Sequence, residues 1–75
     1  MYIRIGVTNH AHEILVQLPD NTDRRSVKDS VDKSIGSNTA TLWLTDAKGK
    51  EVAVLGSNIA FVELGPDAGN PIGFG

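Results

Sequence analysis

Apolar residues recur at every second position in two runs near the start of the chain. Ile3, Ile5 and Val7 share one side of the first run, with Tyr2, Arg4 and Gly6 on the other. Ile14, Val16 and Leu18 share one side of the second, opposite Glu13, Leu15 and Gln17. A period of two marks a strand with one buried face. The polar stretch 8–12 between the runs makes them an antiparallel hairpin. Pro19 ends the second strand, because proline has no N–H for the ladder. The period then changes. Val27, Val31 and Ile35 repeat every four residues, Thr22 or Asp23 stands ready to cap, and Gly36 suits the residue just past a helix end. The spacing predicts a helix whose thin, β-branched stripe needs a docking site for stability. Arg25–Asp29, Lys28–Asp32 and Asp29–Lys33 are its possible i, i+4 ion pairs.

Alternation returns over 39–45, 50–55 and 59–64. Between the first two runs, Gly49 fits the left-handed position of a three-residue loop with a bulge. Asp46 then faces Lys50, Leu44 faces Val52, Trp43 faces Ala53 and Leu42 faces Val54. A one-residue shift sets Leu44 against Glu51 and mixes the faces. If Gly56-Ser57-Asn58 is a second tight turn, the three runs form a meander with Val52 opposite Val62 and Ala53 opposite Phe61. The expected architecture is α+β, in the order ββαβββ, with an antiparallel sheet and one helix on one face. The compact domain spans 1–65, and 66–75 is an irregular tail.

That meander has apolar side chains on both faces. Leu42, Leu44, Val52, Val54, Ala60, Val62 and Leu64 form one. Trp43, Ala53, Leu55, Ile59 and Phe61 form the other. A single thin helix covers one face only, so the second needs another cover. The amino-terminal hairpin folded over it is one solution. The other is an interface in which Trp43 and Phe61 are the anchors, and the balance of this reading is toward a homodimer. The tail carries Ile72 and Phe74, candidates for docking on a partner.

The chain has 75 residues, 40% of them hydrophobic, no cysteine and a net charge of −2. A domain this small buries about 60% of its unfolded surface. Without disulfides or thiolate metal sites, association is the common remaining source of stability. The charge argues against a polyanion binder. The start is strand-like rather than a secretory leader, and no apolar run approaches the roughly 20 residues of a membrane span, so a cytoplasmic location is expected.

Four sets of residues then resemble a known family: Ile3-Arg4-Ile5-Gly6-Val7, Leu44-Thr45-Asp46-Ala47-Lys48-Gly49-Lys50, Ile59-Ala60-Phe61-Val62-Glu63-Leu64-Gly65 and Gly73-Phe74-Gly75. Their order and spacing resemble the actinobacterial domain of unknown function 3107 (DUF3107) over nearly the whole chain. The chain departs from it at Gly56-Ser57-Asn58, where a proline-containing turn is expected, and in its more polar helix. The resemblance implies a cytoplasmic protein of a high-GC Gram-positive lineage. It supplies no cofactor and no catalytic residues to carry over.

Residues that suggest chemistry each have a simpler explanation. His10 and His12 share a face if the chain is extended, with Asn9 and Glu13 beside them, but two nitrogens fall short of a metal site. Gly6-Val7-Thr8 and Gly56-Ser57-Asn58 lack the length and lysine of a phosphate loop. Arg24, Arg25, Lys28 and Lys33 are interleaved with Asp23, Asp29 and Asp32, as on a solvated helix. No nucleophile–base or paired-carboxylate set is present, so no catalysis, metal or cofactor is expected. The leading expectation is a non-catalytic interaction module that self-associates. The alternatives are a ligand- or nucleotide-binding regulatory domain using the Gly6 and Gly56 turns, and a minor nucleic-acid accessory protein.

Overall fold

The computed structural model describes residues 1–66. Its elements are β1 (Tyr2–Val7), β2 (Ile14–Gln17), α1 (Arg24–Ser34), β3 (Thr41–Thr45), β4 (Glu51–Leu55), a 3₁₀ turn (Gly56–Asn58) and β5 (Ile59–Leu64). The order ββαβββ is the one the sequence predicts, and all strand pairs are antiparallel. Among the described residues no helix is long and apolar enough to cross a membrane.

Local chemistry sets most of these boundaries. Asp23 caps α1, accepting from Arg25 N–H at 3.2 Å and from Ser26 Oγ at 2.9 Å. Gly36 follows the helix with φ +78°, which a side chain rarely adopts. Of the three possible ion pairs on α1, only Asp29–Lys33 closes among the described residues, at 3.1 Å. The β3–β4 hairpin has the predicted register, with Leu42↔Val54, Trp43↔Ala53 and Leu44↔Val52. Asp46 makes the turn. Its N–H donates to Lys50 O at 2.8 Å, and its Oδ1 accepts from Lys48 N–H and Lys50 N–H.

The strand that follows the 3₁₀ turn departs from expectation. β5 does not extend the hairpin into a meander; it pairs with β1, giving one sheet of order β2-β1-β5 and a separate β3-β4 ladder. The cause lies at residues 56–58. Gly56 N–H still bonds Ala40 O at 3.0 Å and completes the hairpin ladder, but Gly56 O takes Gly36 N–H at 2.9 Å. The 3₁₀ turn then carries the chain to the far edge of β1, where Ile3 faces Leu64 and Ile5 faces Val62. A bulge between Gly6 and Val7 leaves Ala60 unopposed, since Gly6 faces Phe61 and Val7 faces Ile59. The extra residue reverses the alternation. Ile59, Val62 and Leu64 therefore all point inward although their numbers differ in parity.

Both sheets and the helix share one core. Ile3, Ile5 and Leu42 are its fully buried members, joined by Val16, Leu18, Leu44, Val54 and Ile59, with Val27 and Val31 from α1. Ile35 leaves the expected helical stripe. It is the C-cap and is exposed, and Ser34 takes the inward position with its Oγ bonded to Ser30 O at 2.7 Å.

Candidate interaction surface

Residues in one strand whose side chains leave the core alternate with those that enter it. On β3 and β4 the outward set is Thr41, Trp43 and Thr45 against Leu55, Ala53 and Glu51. Trp43 is 64% exposed and Leu55 57%. The Asp46/Lys50 pair shares a main-chain hydrogen bond, so three steps of alternation make Trp43/Ala53 a non-hydrogen-bonded pair, where side chains approach most closely. The small Ala53 leaves the indole face open. Beside it lies a shallow depression of about 280 Å³ reaching Leu18, Pro19 and Val27. Among the described residues, the far edge of β4 has no neighbouring strand.

Two residues predicted for this surface are elsewhere. Ile59 is only 6% exposed, turned into the core by the bulge. Phe61 is 38% exposed and belongs to the other sheet, because β5 pairs with β1. Its ring lies over Gly6: a Cβ built there would fall 2.1 Å from the ring. An aromatic covering a cross-strand glycine is a recognised pairing device. Ile72 and Phe74 lie outside the described residues.

The three-stranded sheet has its own exposed outer face, with Tyr2, Leu15 and Phe61 around Arg4. Arg4 pairs with Glu63 opposite it and approaches Glu13 Oε1 to 3.6 Å through Nε. The first two alternating runs had placed Tyr2 and Leu15 on the side away from the core. That signal identified this face without showing that β5 adds Phe61 to it.

The other candidate residues do not converge. His10 and His12 lie exposed in the loop 8–13 after Asn9, which has φ 66°. Among the described residues, no three of His, Cys, Asp or Glu gather to hold a metal. Both main-chain groups of Gly56 are taken, by Ala40 and Gly36. The Asp46 carboxyl titrates below its ordinary value. Hydrogen bonding from Lys50 N–H lowers its pKa, aided by Lys48 N–H and the two lysine charges.

These features define a small two-sheet α+β protein whose exposed large apolar side chains, Ile35 at the helix end aside, sit on outer sheet faces among the described residues. Over residues 1–75 the chain matches the family described as "Protein of unknown function (DUF3107)", and it belongs to that family. No curated protein matches it.

Proposed function

We propose that this protein is a non-catalytic interaction module of the cytoplasm that pairs with a second copy through the outer face of β3–β4. The observation that carries the reading is the exposed indole of Trp43, flanked by exposed Leu55 and small Ala53 beside a strand edge that is open among the described residues. A two-fold axis makes one patch serve both partners, so a single exposed tryptophan contributes twice to the interface. Tryptophan is also the side chain most enriched among residues that dominate binding energy. The revised patch is Trp43, Ala53 and Leu55, with Thr41 at its margin; Ile59 and Phe61 are not part of it.

Sedimentation equilibrium tests this. The wild type is expected to be a dimer at high micromolar concentration. Trp43→Ala removes the side chain from both copies and weakens the dimer by about 1,000-fold, corresponding to roughly 2 kcal/mol at each of two hot spots. A wild-type protein that remains monomeric at that concentration refutes the proposal.

A further inference from the structure

Main-chain bonds fix the direction in which each residue of β4 faces within the sheet. Asp46 N–H donates to Lys50 O at 2.8 Å and Gly56 N–H to Ala40 O at 3.0 Å, closing the β3–β4 ladder at its two ends. Bonded positions alternate in an antiparallel pair, so Val52 and Val54 bond to β3 between those ends. Glu51, Ala53 and Leu55 turn their N–H groups the other way. Among the described residues no strand lies along that edge, and all three side chains are exposed. Proteins deter pairing at such an edge with lysine, proline or a bulge. Glu51–Leu55 contains neither lysine nor proline, and its ladder with β3 runs without a shift.

We infer that the dimer proposed above, on which this reading rests, is built by β4 pairing antiparallel with β4 of a second copy, Ala53 opposite Ala53 on the two-fold axis. Ala53 N–H then donates to Ala53 O of the second copy and Leu55 N–H to Glu51 O of the second copy, and the axis repeats both bonds. The result is a continuous sheet of order β3-β4-β4-β3. Directly opposed residues share a face. Val52 therefore meets Val54 of the second copy on the inner side. Glu51 meets Leu55 of the second copy on the outer side, which keeps the two carboxylates apart. Any other centre pushes one end of β4 onto the partner's Gly49 turn or its 3₁₀ turn, and a centre on Glu51 also opposes like charges. In the favoured register Trp43, Ala53 and their symmetry mates form one row across the outer face. The two tryptophan backbones are three strand spacings apart, about 14 Å. Each indole leans over its own small Ala53 and meets the other at the axis, so the two exposed patches become one.

Amide hydrogen exchange, followed residue by residue in the full chain, tests this at low and at high micromolar protein, with sedimentation run on the same samples. The Ala53 and Leu55 amides are expected to exchange about tenfold more slowly, or slower still, in the dimer than in the monomer. The Val52 and Val54 amides bond to β3 and stay protected at both concentrations, which reports that the fold is intact. A dimer whose Ala53 and Leu55 amides exchange as fast as in the monomer overturns the edge pairing and leaves the β3–β4 dimer standing. Protection already complete in the monomer overturns it too, since the chain then covers its own edge. A protein that stays monomeric overturns both readings. Ala53→Pro gives a second test. It removes an N–H that β3 does not use, so the hairpin ladder keeps its bonds. The dimer is expected to weaken by about 100-fold while the Val52 and Val54 amides remain protected. A dimer of wild-type affinity in this variant overturns the pairing.

Discussion

Gly56→Ala is the sharpest test of how the two sheets are joined. A Cβ at this position lies 1.8 Å from Ser34 O, 2.8 Å from Ser34 C and 3.0 Å from Ala40 O. These are main-chain atoms, so no side chain can rotate away. Relief requires the end of α1 and the 3₁₀ turn to separate by more than an ångström. That movement breaks the bonds Gly36 N–H to Gly56 O and Gly56 N–H to Ala40 O, at 2.9 and 3.0 Å. Each is worth about 1 kcal/mol net, and a buried group left unpaired adds about 1–3 kcal/mol. The expected loss is therefore about 3–5 kcal/mol, against a total stability of roughly 4–11 kcal/mol for a domain of this length. The assay is urea unfolding, compared with Gly36→Ala. At Gly36 the added Cβ meets nothing within 4 Å, and only the φ of +78° opposes it. That substitution costs about 1–2 kcal/mol. If Gly56→Ala loses less than Gly36→Ala, the close approach of helix end and turn is not a determinant of stability.

Two further predictions concern the ladder and the turn. Gly6→Ala destabilises the protein by displacing the Phe61 ring, whereas in a Phe61→Ala background it costs about 1 kcal/mol less; a double-mutant cycle in urea measures the difference, and additivity refutes the pairing. The depressed pKa of Asp46 means that its carboxylate stabilises the folded state above the unfolded value, near 3.8, and that this contribution is lost as pH falls through the lower folded value. Wild type is thus more stable than Asp46→Asn at neutral pH, and the gap narrows on acidification below that value; a gap independent of pH contradicts the assignment.

Elements fixed by neighbours in sequence were legible. Asp46 and Gly49 specify the β3–β4 turn and hence its register, and Asp23 and Gly36 delimit α1. The face of each early strand followed from its alternation. The partner of β5 did not, because alternation says which side is buried but not which strand lies alongside. The bulge added a second failure, moving Ile59 from the expected surface into the core. Gly6 held a clue: a glycine inside a strand pattern marks a bulge or a close approach, and here it marks both. Trp43, Ala53 and Leu55 were placed on one exposed face because their pairing is local.

The β1–β5 ladder joins the second residue of the chain to residues beyond 60. During synthesis β1 can close on β2 early, while its other edge waits until nearly the whole domain has left the ribosome. Loop closure over that separation slows folding relative to locally wired proteins. A product interrupted before residue 59 retains an unpaired edge on β1 and lacks Ile59 from its core. Such fragments are natural substrates for aggregation and proteolysis, so quality control of this protein is decided at β5.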